Sequence, residues 1–489
     1  HSLYQVSIDS GLVLSEIIKY PEPISPMKYY YFNSWTLLNQ FSEILLISGF
    51  SIDISSNIIL FLSSLCFTLS AFIIIKKYTE NFYLALIASL LLLILEKNFG
   101  DTDYPSLLIS NNTYGMMGLA VSSLIFALLI NNNYKLSGFF SAFLICIHPV
   151  LGIWVTSILI VSSIFFKDRN VIKELSKGAI LGLILTLISL VFYFKNKIGI
   201  TDFNLENLDI YMEYWDGHRN TYGKIHYEYL IKTLILLFLI NFYYLQNNKK
   251  DLFKIFFNFS VILSLIFYIF YKLMPHFFPD IFVRVIPSRF LILHSFVAWP
   301  LIISLVYMIF SRFNLTKKYI EIFIIIILFV YSIQHYKNFI KIKDRFFENI
   351  FTESKYTDTN IFNEISNLNL PGYFITTSTT VGYTSRIGLK PILLDTTSFD
   401  FIPYQPYLVN NVFEIMKDVY NVDLKNPPIR NNTYLPDNFI KSSFEKKDVK
   451  DWKLLNKKYN ATYIVVPSEW NIELNLFKKN KSFSIYKIQ

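Results

Sequence analysis

"NFGDTDYPS" (98–106) places Asp101 and Asp103 between two apolar runs, "LALIASLLLLILEK" (84–97) and "MMGLAVSSLIFALLI" (116–130). The flanking runs have the composition of membrane spans, and charge beside a bilayer is expensive, so an acidic pair there asks for a functional reason. The whole chain repeats the pattern. Of its 489 residues 53% are hydrophobic and 18% aromatic, and the 17% that are charged compare with about 25% in an ordinary soluble protein. Mean hydropathy is +0.39. A soluble core cannot hide so many long apolar runs, and the composition implies an α-helical polytopic membrane protein.

Spans are expected near 54–75, 82–96, 115–131, 136–148, 151–166, 178–195, 229–246, 253–273, 288–311 and 318–336, ten in all. Ahead of them, "SWTLLNQFSEILLI" (34–47) has the spacing of a helix lying in the membrane interface. Leu37, Leu38, Phe41, Ile44 and Leu45 share one face, opposite Asn39, Gln40, Ser42 and Glu43. Lys76, Lys77, Lys135, "FKDRNVIKELSK" (166–177), Lys249, Lys250, Lys317 and Lys318 fall in alternate short loops, which are therefore cytoplasmic. The formal net charge of +9 follows from this clustering, and no nucleic-acid partner is expected. Alternation puts residues 1–53 and everything after about 337 on the outer side. An outer start then calls for one further span before His1. Beyond 337, "GYFITTS", "KPILLDT", "ATYIVVPS" and "FSIYKI" read as strands, and "YLVNNVFEIMKDVYNV" and "DWKLLNKKYN" as helices. The expected organisation is a first outer loop (1–53), a transmembrane helical domain (54–336) and an extracytoplasmic α/β domain (337–489), entered through a linker helix after 337. Abundant Ile, Lys, Asn, Phe and Tyr suggest an AT-rich bacterial or archaeal genome, hence a multi-pass protein of the cytoplasmic (inner) membrane. Cys66 and Cys146 sit inside apolar spans and read as packing residues.

Chemistry-bearing residues gather in the outer segments. Asp101 and Asp103 could hold a divalent cation (Mg or Mn) if a turn brings them together, although a DxD alone also suits a solvated loop tip. Asp9, in "SIDSGLVLSEII", could take a proton from a hydroxyl or cap a helix. His148 stands before Pro149 at an expected helix break, with Gly152 allowing close packing; it could donate to an anion or be satisfied by backbone there. Arg284 and Arg289 flank "VIPS", and an arginine fork matches phosphate oxygens. "YWDGHRNTYGKIHYEY" adds His218 and Arg219 in an aromatic setting suited to a sugar, or to a folded loop. A P-loop, GxGxxG, GxSxG, HExxH and CxxC are all absent, which argues against nucleotide-driven chemistry in this chain.

The layout of acidic outer loops, interfacial helix, many spans and a C-terminal α/β domain resembles the GT-C superfamily of integral membrane glycosyltransferases, which use polyprenyl-phosphate-linked sugars. It is also similar to large bacterial membrane proteins with an HP-G element, here His148, Pro149 and Gly152, and endings like "YNATYIVVPSEWNIELNLFKKNKSFSIYKI" (459–488). The resemblance implies Asp9 as base and Asp101 and Asp103 as metal-binding or substrate-positioning residues. Ser10 stands where a second acid is usual, and Asp103 is the alternative base. It implies inverting transfer to an extracytoplasmic glycan, lipid or protein acceptor, with Arg284, Arg289 and His148 stabilising charge on the departing lipid phosphate. A non-catalytic envelope scaffold predicts acidic loops that diverge in space, and a transporter predicts charges at mid-membrane and repeat symmetry.

Overall fold

The computed structural model describes residues 6–93, 114–199, 205–216, 219, 225–246, 251–274, 277, 282, 284–312, 316–334, 336–337, 340, 359–397, 399–429 and 434–488. Three short helices come first: α1 (Val6–Leu14), α2 (Pro26–Asn33) and α3 (Leu37–Ile47). The helical body follows as α4 (Ile52–Thr79), α5 (Phe82–Leu92), α6 (Tyr114–Ile130), α7 (Tyr134–Ile147), α8 (Pro149–Phe166), α9 (Arg169–Asn196), α10 (Leu205–Tyr214), α11 (Tyr227–Gln246) and α12 (Leu252–Leu273). A 3-10 turn over Pro287–His294 leads into α13 (Ser295–Arg312), and α14 (Lys317–Gln334) completes the body. A helix stands at each of the ten expected span positions. Among the described residues, α4, α8, α9, α12 and the unit Pro287–Arg312 are long and apolar enough to cross a membrane. The body is that of a polytopic membrane protein with a small C-terminal sheet.

Local chemistry marks the turns between these helices. Ser51 caps α4, and Asn81 caps α5 by accepting from the Leu84 N–H at 2.9 Å. Glu80 and Lys167 close α4 and α8 in the left-handed conformation, each folding the chain back within a few residues. α7 and α9 run parallel and very close. A Cβ added at Gly178 or Gly182 would run into the carbonyl oxygens of Lys135 or Phe139, so only glycine permits the approach. Thr186 then donates from α9 to the Ala142 carbonyl at 2.9 Å. This contact carries the C-terminal ends of both helices to the same end of the bundle, where the functional residues collect.

Helix α3, expected to lie in the membrane interface, departs from its expected facing. Leu38 and Leu45 are buried, but so are Asn39 and Ser42 from the polar face, while Ile44 and Ile47 are exposed. Polar atoms turned inward find partners there: Gln40 Nε2 donates to the Ser189 carbonyl (2.8 Å) and Asn39 Oδ1 accepts from the Tyr114 hydroxyl (2.9 Å). In a lipid setting apolar groups gain nothing from hiding, whereas polar groups must be paired internally.

The C-terminal domain comprises α15 (Asn360–Ser366), β1 (Tyr373–Thr376), α16 (Val381–Arg386), α17 (Val409–Asp418), α18 (Asp437–Lys446), α19 (Val449–Tyr459), β2 (Ala461–Pro467), β3 (Asn475–Lys479) and β4 (Phe483–Lys487). Its sheet runs β1-β2-β4-β3, with β1 and β2 parallel and the other pairs antiparallel. The strand expected at 390–396 is reduced to one bridge, Phe374 to Ile392. Pro391 supplies no N–H for a ladder there. Conversely, "NLFKK" forms the edge strand β3, whose exposed, mixed residues gave no alternation to read. The linker helix expected after 337 lies almost wholly outside the described residues.

The glycine contact yields a stability test. Gly178→Leu should force α7 from α9 and cost at least the roughly 1–3 kcal/mol typical of overpacking, read as a lower melting temperature of the detergent-solubilised protein. Exposed Ile180→Leu on the same helix should leave it unchanged.

Candidate functional site

α1 is packed against α3 so tightly that a Cβ at Gly11 would lie 2.7 Å from Ser42 Cβ. With Ile8 and Leu12 buried, Asp9 faces the C-terminal domain. There Arg386, in the last turn of α16, meets it fork to fork: Nε donates to Oδ1 at 2.7 Å and Nη2 to Oδ2 at 2.6 Å. Both side chains are about 15% exposed. Burial alone would lower the Arg386 guanidinium, but the charges of Asp9 and Asp395 outweigh it and hold the group well above its ordinary value. The pair joins residues 377 positions apart.

Asp395 is a second carboxylate at this junction. Its Oδ1 accepts from Thr397 N at 2.8 Å and from Thr397 Oγ1 at 2.6 Å. No cation pairs directly with it among the described residues. Burial raises its carboxyl above the ordinary range; Asp9 pushes the same way, against Thr397 and Arg386. Tyrosines line the surroundings. Tyr20 and Tyr31 meet edge to face at 6.2 Å and both feel Asp9 and Asp395, while Tyr30 packs on Phe401 at 5.1 Å. Burial raises the hydroxyls of Tyr20, Tyr30 and Tyr31 well above their ordinary value, which keeps them neutral.

α6 connects this junction to His148. Tyr114, its first residue, lies in the field of Asp9 and bonds Asn39, and one turn on, Gly118 abuts the His148 Cβ. His148 caps the break between α7 and α8: Nδ1 accepts from Leu151 N at 3.3 Å, leaving the proton on Nε2 free to donate. Thr36 seals the break by donating to the Ile147 carbonyl at 2.7 Å. Arg289 stands close enough for its charge to act on the His148 ring. Trp154 of α8 stacks on Phe290 at 4.4 Å and 11°, which fixes the two segments together. Ile286 opens the 3-10 turn at φ 53°, strained for a β-branched residue, and so bends the chain sharply just before Arg289.

Arg219 serves inside the protein. It is 2% exposed, pairs with buried Asp216, donates from Nε to the Arg284 carbonyl at 2.7 Å, and lies 5.1 Å over the Tyr404 ring. Asp9, His148, Arg219, Arg284 and Arg289 thus occupy one end of the bundle. Asp101, Asp103 and His218 lie outside the described residues. Among the described residues there is no group of three His, Cys, Asp or Glu side chains able to hold a metal ion. Arg386 and Asp395 escaped the sequence reading because nothing local distinguishes them; Arg386 gains meaning from its bond to Asp9, 377 positions away, and Asp395 from lying in the field of that same pair. An open groove of about 640 Å³ on the C-terminal domain, lined by Asp437 and Lys441 among others, lies elsewhere. Its Asp437 carboxylate is already bonded by Thr377 and Ser378 and is structural.

The sequence matches no family model, and no curated protein matches it. Among solved structures the chain is similar to the crystal structure of ArnT from Cupriavidus metallidurans bound to undecaprenyl phosphate. That similarity spans 100% of this chain and 93% of the other, at 12% identity and a TM-score of 0.49.

Two stability effects follow. Arg386→Ala leaves the Asp9 carboxylate buried without its partner and should cost about 3 kcal/mol, seen as a lower melting temperature. Asp395 binds its proton more tightly folded than unfolded, so its contribution is full in acid and falls as pH rises through its raised value. Asp395→Asn should therefore flatten the decline of melting temperature with rising pH.

Proposed function

We propose that this protein is a GT-C-type glycosyltransferase of a bacterial or archaeal cytoplasmic membrane. It would move a sugar from a polyprenyl-phosphate-linked donor to an extracytoplasmic glycan, lipid or protein acceptor, with inversion at the sugar. The observation that carries this reading is convergence. Two carboxylates from opposite ends of the chain (Asp9, Asp395) and two donors at helix ends (His148, Arg289) flank the first turn of α6, where Tyr114 lies in the field of Asp9 and Gly118 abuts His148. An unrelated scaffold has no reason to gather these groups, and a transporter needs them at mid-membrane.

In this reading the lipid tail lies along the apolar helices and its phosphate meets Arg289 and the His148 Nε2–H, with Arg284 nearby. As the bond from sugar to phosphate breaks, negative charge grows on the phosphate, and preoriented donors stabilise that change. The buried tyrosines, neutral and rigid, offer faces and hydroxyls to the sugar. The donor is already activated, so no nucleotide is required. A divalent cation at Asp101 and Asp103 remains part of the proposal, with no step assigned to it.

The test is sugar transfer by the full chain in lipid nanodiscs, supplied with polyprenyl-phosphate-linked sugars and candidate acceptors. Wild type should transfer. Arg289→Ala should lower kcat about 100- to 1000-fold, the loss typical of one charge-stabilising donor. Absence of transfer from every polyprenyl donor would overturn the reading.

A further inference from the structure

The junction of α1 and α16 holds two carboxylates with different surroundings, and the difference assigns them different work. Both oxygens of Asp9 are occupied by the Arg386 fork. Asp395 has only the two Thr397 donors, both on Oδ1, which leaves Oδ2 uncommitted among the described residues. It opens the segment 395–408, which is clasped from two sides. Tyr30 packs on Phe401, and Gln405 Nε2 donates to the Asn33 carbonyl at 2.7 Å, on the side of the first helices. Tyr211 donates to the Phe399 carbonyl at 2.9 Å, and Arg219 lies over Tyr404, on the other.

Resting on the transferase reading above, we propose that Asp395 is the proton acceptor for the attacking acceptor hydroxyl, and that Asp9, locked by Arg386, is a positioning residue. The step balances. The acceptor oxygen bonds to the anomeric carbon as the bond from that carbon to the phosphate oxygen breaks. The electron pair leaves with the polyprenyl phosphate, the hydroxyl proton passes to Asp395 Oδ2, and solvent removes it afterwards. The groups facing Asp395 are Asp9 from α1, Arg386 from α16, Tyr20 and Tyr31 from the first segment, and Tyr420 after α17. Burial, with Asp9, favours the protonated form against Thr397 and Arg386, which suits a group that must take up a proton.

The experiment compares Asp395→Asn, Asp395→Ala and Asp9→Asn with wild type in the nanodisc assay, following kcat and donor KM across pH. Asp395→Asn should lower kcat about 100- to 10,000-fold, leave donor KM unchanged and lose the rise of rate with pH. Added formate should restore part of the rate to Asp395→Ala. Asp9→Asn should lower both melting temperature and rate yet keep the rising limb. The inference is overturned if Asp395→Asn keeps wild-type kcat and its rising limb, or if that limb vanishes with Asp9→Asn instead. A wild-type protein that transfers no sugar overturns the parent reading, a distinct outcome. Melting curves of each variant identify a rate lost to misfolding, and an unfolded Asp395→Asn with no formate rescue of a folded Asp395→Ala also counts against the proposal.

Discussion

The arrangement depends on one buried ion pair, Asp9 to Arg386. It closes the chain on itself across 377 residues and turns two separate outer segments into one surface. Buried pairs add little net stability, because desolvation offsets most of the attraction; what they supply is geometry, since a misplaced partner leaves an unpaired charge. Other contacts work in the same direction. The Tyr373 hydroxyl accepts from Ser25 N at 3.1 Å and lies within donating reach of the Pro21 and Pro23 carbonyls. Asn460 Nδ2 donates to the Glu22 carbonyl at 2.8 Å. The first segment is thus stitched to β1 and to the turn before β2.

A second constraint acts from the helical body. The glycines of α9 let α7 approach to backbone contact, which brings Ile147 and Ser189 to the level of α3, where Thr36, Trp35 and Gln40 bond to them. The break at His148 is therefore sealed by the first segment, and the first segment is held by the C-terminal domain. Three parts of the fold meet where the cations and carboxylates stand. Low dielectric at such a junction strengthens every charge interaction, which explains both the shifted Asp395 and the neutral tyrosines.

Much of the fold was legible because span composition is a strong local signal: the ten expected positions all carry helices, and Pro149 does end α7 with His148 at the break. The facing of α3 was not legible, because an amphipathic pattern shows that a helix has two faces and not which one meets protein. Burial of Asn39 beside Tyr114 is a tertiary fact. Within the site, Asp9, His148 and Arg289 were visible from their settings. Arg386 and Asp395 were not, since "TSR" and "LDT" look like any domain surface. Arg219, read as suited to a sugar or to a folded loop, is committed inside the protein to Asp216 and the Arg284 carbonyl.

By itself the sequence determined that this chain is a bundle of apolar helices with a mixed domain at its C-terminal end. Burial of apolar groups and pairing of backbone in lipid leave few other outcomes for such a composition. Which charged groups become neighbours was decided only by tertiary structure. Ion pairs form between side chains whose separation along the chain carries no local signature, and their proton affinities follow from the burial and partners that folding creates.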